Sequence, residues 1–203
     1  MKKYYIVTHG EAQHHLDNVV GGWFDSTLTS KGISQAQDPA RFFSSMNMAD
    51  RTAIYSSDLT RCSQTTEIIA NAMGLEARFD ERLREMSFGS HEGMDQALHN
   101  RIMIPASKMP SDRMDHAICP GAETRRQFAA RLCDFVINLA VDVECAVIVT
   151  HGFAASFLIC ALQRVPLESM AFISFRMSPG GVSELIEDDM FKNVTLTKLN
   201  VRV

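Results

Sequence analysis

Two His-Gly pairs are the first residues in this chain whose types and positions suggest chemistry. His9-Gly10 follows the apolar run Lys3 to Val7, and His151-Gly152 follows the wholly apolar run Ala146 to Val149. A ligand site in an open α/β sheet lies outside the carboxyl ends of the strands, where both pairs would stand. A third run, Thr52 to Ser56, leads through Ser57 and Asp58 into a helical stretch whose first turn carries Arg61. A guanidinium and a helix N-terminus facing one crevice would bind an anion through backbone donors, an aligned dipole and a fork of N–H groups. A metal site built from His9, Glu11, His14, His15 and Asp17 is a weaker reading. The helical H-E-x-x-H signature needs two His at i and i+4 on one helix, whereas His9 follows a strand and its next His is His14.

The elements that must position these residues follow from hydrophobic period. Continuous β-branched and apolar runs read as strands buried on both faces. Between them, Leu59 to Met73 places Cys62, Thr66, Ile69, Ala70 and Met73 on one stripe and stops at Gly74, and Phe128, Leu132, Phe135, Val136 and Leu139 repeat the same rhythm. Alternation of strand and helix implies right-handed crossovers and a mainly parallel sheet covered by helices, an α/β class with a three-layer α/β/α sandwich. Ile33 to Met46 is also expected to be helical, with Asp38-Pro39 kinking or restarting it. Ser169 to Phe175, Gly181 to Ile186 and Val194 to Val201 read as three further strands, the last two joined by Glu187-Asp188-Asp189. From Gly93 to Gly121 periodicity gives way to Pro105, Pro110, Pro120 and scattered methionines and cations, the pattern of a lid or insertion within a single domain spanning residues 1–203.

Composition limits the class. At 203 residues, 46% apolar and 22% charged, the chain suits one globular domain and neither disorder nor a coiled coil. A net charge of -4 gives no footprint for nucleic acid, and the longest apolar stretch, Phe153 to Leu162, is too short to span a bilayer, so neither is an expected partner. Cys62, Cys119, Cys133, Cys145 and Cys160 are odd in number with no C-x-x-C pair, the usage of reduced thiols. The apolar run after Met1-Lys2-Lys3 ends too early for a signal peptide, and a cytoplasmic setting is expected.

In its order of motifs the chain resembles the histidine phosphatase superfamily, the phosphoglycerate-mutase-like proteins. The matching pieces are His9-Gly10-Glu11, Gly22-Trp23 with Asp25, Leu28-Thr29, Ser57-Asp58-Leu59 with Arg61, Leu83 and Glu85, Gly89, Glu92-Gly93, Pro120-Gly121 with Glu123, and His151-Gly152. The resemblance implies a phosphohistidine mechanism without cofactor or metal. His9 would attack phosphorus, His151 and Arg61 would hold the equatorial oxygens, and Glu85 would protonate the leaving oxygen and then activate water. Such a reaction asks mostly for positioning and charge stabilisation.

Two positions depart from the family pattern. Thr8 stands where the family has Arg, so one guanidinium on the phosphoryl group is missing, a loss worth roughly 100-fold to 1,000-fold in rate if nothing replaces it. Arg84, Arg101, Lys108 and Arg113 are candidate replacements. His14-His15 stands where Trp-Asn is frequent, and His15 could still donate to phosphate. The expected binding residues are therefore Thr8, Gly10, His15 and Arg84, with Glu11 and Asp58 orienting their neighbours.

Two functional classes are compatible with these residues. One is a phosphatase acting on a small phosphorylated molecule, with methionines Met94, Met103, Met109 and Met114 giving either an adaptable lid or a small helical core. The other is a non-catalytic anion-binding module of the same fold, motivated by Thr8. A mutase is less attractive, because the chain is short for one and nothing marks a second carboxylate site.

Overall fold

A computed structural model describes every residue except Asn47, Ala49, Pro110 and Ser111. Strands β1 (Lys2–Thr8), β2 (Thr52–Ser56), β3 (Ala77–Phe79) and β4 (Cys145–Thr150) lie parallel in the order β3-β2-β4-β1. Beyond β1 the sheet continues antiparallel through β5 (Val182–Glu187) to β6 (Val194–Val201). The register sets Thr8 beside Thr150 and Ser56 beside Val149, so three strands end together and deliver His9, Ser57 and His151 to one edge.

Alternation along the strands decides which helices cover which face, because successive side chains point to opposite sides of a sheet. Tyr4, Ile6, Ala53, Tyr55, Ala146 and Ile148 pack with α5 (Arg125–Ile137) and α6 (Gly152–Leu162). Tyr5, Val7, Ile54, Val147 and Val149 pack with α2 (Ser30–Ser45) and α3 (Thr60–Met73). The three-layer α/β/α sandwich expected from the pattern is the observed architecture. The stripe on α3 is buried from Cys62 to Ala70, with Met73 half-buried, and its helix stops at Gly74 in the left-handed conformation (φ 66°), where a residue without Cβ is unstrained.

Local chemistry shifts some boundaries. Helix α2 starts at Ser30 because Thr29 caps it, accepting from the Gly32 amide at 3.0 Å. It runs unbroken through Pro39, where a kink or restart was expected. The Gln35 carbonyl, which Pro39 cannot serve as a donor, lies against Gly180, where a Cβ would sit 2.7 Å from it. Ser169 to Phe175 is not a strand. A 3-10 turn occupies Leu167–Phe172, burying Met170 and Ala171 against the α5/α6 layer, and β5 already occupies the edge of β1 on which another strand could pair. The three-residue edge strand β3 was not anticipated.

The region from Gly93 to Gly121 carries the short helix α4 (Gln96–Ile102) and is tied to the segment that follows α1 (Gln13–Leu16), the Val20 amide donating to the Met94 carbonyl and the Gln96 amide to the Asn18 carbonyl. Met114 is buried, whereas Met103 and Met109 are exposed. Pro110 of the expected insertion lies outside the described residues. Among the described residues no helix is long and apolar enough to cross a membrane.

Candidate active site

The strand ends meet in a cavity of about 370 Å³ lined by His9, His14, His15, Arg61, Glu85 and His151 with Phe88, Phe153 and Gln96. His9 is 8% exposed, and its backbone amide continues the ladder by donating to Thr150. Its Nδ1 lies 2.7 Å from the Gly10 carbonyl and therefore carries the proton, leaving the Nε2 lone pair for the cavity. Burial, and then the Arg61 charge, hold its pKa well below the usual imidazole value, so the ring is neutral. Gly10 is needed for close approach: a Cβ there would sit 2.2 Å from the Gly32 carbonyl on α2.

Arg61 is 1% exposed and has a fixed role in the wall. Its NH1 and NH2 donate to the carbonyls of Phe24 (2.9 Å) and Gly22 (2.6 Å), and its Nε donates to His151 Nδ1 (3.2 Å). His151 Nε2 lies 3.0 Å from the Ser57 hydroxyl. Burial, then Arg61 and His9, keep His151 neutral as well. The amino end of α3 was expected to face the crevice, but Asp25 caps it, accepting from the Thr60 amide at 2.8 Å and hydroxyl at 2.5 Å. The helix end that opens on the cavity is that of α6, through Gly152 and Phe153.

Glu85 stands at that end. Its carboxylate accepts from the amides of Phe153 (3.0 Å) and Met86 (2.9 Å). Burial pushes its pKa up, outweighing these two bonds and the Arg61 and Arg131 charges, so the group is poised to hold a proton. The backbone of Glu85 is fixed in turn: its carbonyl accepts from Trp23 Nε1 and from Arg131 NH2, both at 2.7 Å. Arg131 also donates to the carbonyls of Arg82 and Arg84 and pairs with Glu123. Sequence reading did not single out Arg131. Its only signal was the match at its partner Glu123.

His15 accepts at Nδ1 from the Ala12 amide (3.1 Å), which puts its proton on Nε2, and its ring stacks on His9 at 5.9 Å. His14, absent from the expected binding set, also faces the cavity, with Nδ1 2.7 Å from the Ser26 hydroxyl. Gly21 makes room for it, since a Cβ there would lie 2.9 Å from His14 Nε2. The remaining expected residues are placed elsewhere. Thr8 is 4% exposed and donates to the Ser178 carbonyl at 2.6 Å, outside the cavity lining. Arg84 forms a bidentate pair with Asp58 and stacks on Trp23 at 4.9 Å. Arg113 stacks on Phe172, Arg101 and Lys108 are exposed, and none of these four cations lines the cavity. Glu11 turns to Thr29 and Lys31, and Asp17 accepts from Gln13, so neither carboxylate joins the imidazoles.

A family model described as the histidine phosphatase superfamily (branch 1) matches residues 4–199. The chain is 31% identical to "Putative phosphoserine phosphatase 2" of Hydrogenobacter thermophilus over 98% of this chain and 97% of that one. It is 43% identical to "Probable phosphoglycerate mutase GpmB" of Salmonella choleraesuis over 82% of this chain and 77% of that one. Among solved structures, the alpha-ribazole phosphatase of Shigella flexneri superposes with a TM-score of 0.82 at 26% identity, covering 98% of this chain and 96% of that one.

Proposed function

The chain belongs to the histidine phosphatase superfamily, and on that premise we propose that it hydrolyses a small phosphate monoester through a phosphohistidine on His9. The observation that carries this reading is the pairing of a neutral His9, its Nε2 free, with a Glu85 inclined to stay protonated in the same cavity. With ordinary values a carboxylic acid loses its proton before an imidazole becomes neutral on raising the pH. Here the two shifts run toward each other, which is what an acid and a nucleophile acting together need.

In the first step the Nε2 lone pair of His9 forms the N–P bond as the ester P–O bond breaks, and Glu85 gives its proton to the leaving alkoxide. In the second, the Glu85 carboxylate takes a proton from water as that water's oxygen displaces His9 from phosphorus. The free N–H groups of Arg61, the Nε2–H of His15 and the Gly152 amide would stabilise the equatorial oxygens, while the Phe153 amide stays on Glu85. His151 meets the phosphoryl group through Nε2 when Ser57 yields it. The segment from Gly93 to Gly121, which contributes Gln96 to the wall, would act as the lid. Five free thiols suit a reducing, cytoplasmic setting.

The non-catalytic reading is favoured by one observation: no cation among the expected substitutes for the missing Arg lines the cavity. Phosphate release with EDTA present, from an aryl phosphate and a panel including phosphoserine, phosphoglycerate and alpha-ribazole 5'-phosphate, separates the classes. Activity that survives the chelator and is lost in folded His9→Ala supports the phosphatase. Binding without turnover on any ester would establish the anion-binding module, and interconversion of phosphoglycerates without phosphate release would indicate a mutase.

A further inference from the structure

The cavity poses an electrostatic problem that its own residues solve. A phosphoryl dianion entering it would meet one permanent cation, Arg61, and four imidazoles, His9, His14, His15 and His151, with ring centres of the last three 5.1 to 6.5 Å from His9. A second positive charge could come only from one of those rings. Three of them cannot take a proton without cost. His9 would lose the lone pair that makes it a nucleophile. His15 Nδ1 is held as an acceptor by the Ala12 amide, and His151 Nδ1 by Arg61 Nε. An imidazolium donates from both nitrogens and would break either bond.

His14 is different. Its Nδ1 faces a hydroxyl, Ser26 Oγ, which accepts as readily as it donates, its Nε2 makes no hydrogen bond among the described residues, and its ring lines the cavity. We propose that His14 supplies the missing cation, taking up a proton when a phosphate-sized dianion binds and so standing in for the family's Arg at position 8. The inference rests on the phosphate-pocket reading above and adds to it the source of the second charge and a dependence of binding on pH.

The groups around His14 fit this role. From its own helix it faces His15, from the residue after β1 His9, from α3 Arg61, from the α6 junction His151, from α4 the neutral Gln96, and across the cavity Glu85. In the empty cavity burial, and then His15 and Arg61, push its pKa down to about 3, so it begins neutral. A double negative charge within hydrogen-bond distance, at the effective dielectric of a protein interior, is large enough to reverse that repulsion. Binding energy and proton affinity are then linked, and affinity should strengthen as pH falls.

Sulfate is the probe, because it has the size and charge of the phosphoryl dianion and does not itself take up protons near neutrality. Calorimetric titration in buffers of different ionisation enthalpy gives the protons taken up per sulfate. The expected result near about pH 6 is close to one proton, with affinity weakening about tenfold per pH unit as pH rises. His14→Gln should bind more weakly and take up none, while Glu85→Gln should keep the uptake. Sulfate binding without proton uptake overturns the role of His14 and leaves the phosphate pocket standing. Uptake kept in His14→Gln and lost in Glu85→Gln overturns it by placing the proton on the carboxyl. No sulfate binding at all overturns the pocket reading and this inference together. Should His14→Gln fail to fold, imidazole ¹⁵N shifts of the wild type decide: sulfate must convert His14 to the imidazolium pattern, and conversion of His9 or His15 instead is contrary to the proposal.

Discussion

The Nε of Arg61 donates to Nδ1 of His151 across 3.2 Å, and this bond determines which nitrogen of His151 carries its proton. With Nδ1 accepting, Nε2 bears the hydrogen and directs it at Ser57 Oγ and the cavity beyond. The same guanidinium ties down the Gly22 and Phe24 carbonyls, so one side chain orients a second imidazole and the loop that closes the wall.

Arg61→Lys should therefore be a severe change despite keeping the charge. An ammonium cannot span two carbonyls and an imidazole in fixed fork geometry. The expected loss in kcat/KM is about 100-fold to 1,000-fold, with the larger part in kcat. Steady-state kinetics check this, and a loss under tenfold would mean that Arg61 contributes charge alone.

Glu85→Gln removes the proton that the leaving oxygen needs. For an alkyl phosphate kcat/KM should fall by about 100-fold to 10,000-fold, and for an aryl phosphate with a good leaving group by much less. In the wild type the alkaline limb of the kcat profile for an alkyl ester, with substrate saturating, reports Glu85 losing its proton, at a pKa above the ordinary carboxyl value, and that limb should vanish in Glu85→Gln. Equal losses on both ester classes would remove Glu85 from the acid role.

Much of this was legible in the chain. His9, Arg61, Glu85 and His151 were each marked by a strand end, a helix start or a motif match, and all four line one cavity. The buried runs of β1, β2 and β4 and the stripes of α3 and α5 were legible because a two-faced strand and a one-faced helix leave distinct periods. What escaped depends on contacts between distant segments. Nothing local says that Arg131 will reach the carbonyls of Arg82, Arg84 and Glu85, or that Asp58 will take the fork of Arg84. Ser169 to Phe175 has strand-like composition, but Leu167–Phe172 turns as a 3-10 helix that buries Met170 and Ala171 against the α5/α6 layer, a contact with no local signal. His14 was visible as a departure from Trp and as a member of the weaker metal reading, but its position in the wall is set by Gly21 and Ser26, which nothing local announces.

Stability should fall on acidification through the ordinary imidazole range. His9, His14, His15 and His151 all have pKa values lowered in the fold from 6.5, so below 6.5 the unfolded chain binds protons that the folded one refuses. Unfolding is then favoured as pH drops, by up to about 1.4 kcal/mol per pH unit for each fully excluded proton. Glu85 acts in the opposite sense, since its raised value favours the folded state below that value, but it is one group against four. The urea midpoint should be lower at about pH 5 than at about pH 7. A midpoint that is flat or rises toward pH 5 would show that these rings are not held neutral.

The central claim is that His9 carries the phosphoryl group, and rapid quench of the enzyme with a ³²P-labelled monoester tests it most directly. The account predicts label on the protein within the first turnover, approaching one per chain, stable to alkali and labile to acid as a phosphoramidate is, located on His9 and absent from folded His9→Ala. Phosphate release from the wild type with no labelled protein at any time, or label that persists in His9→Ala, would contradict it.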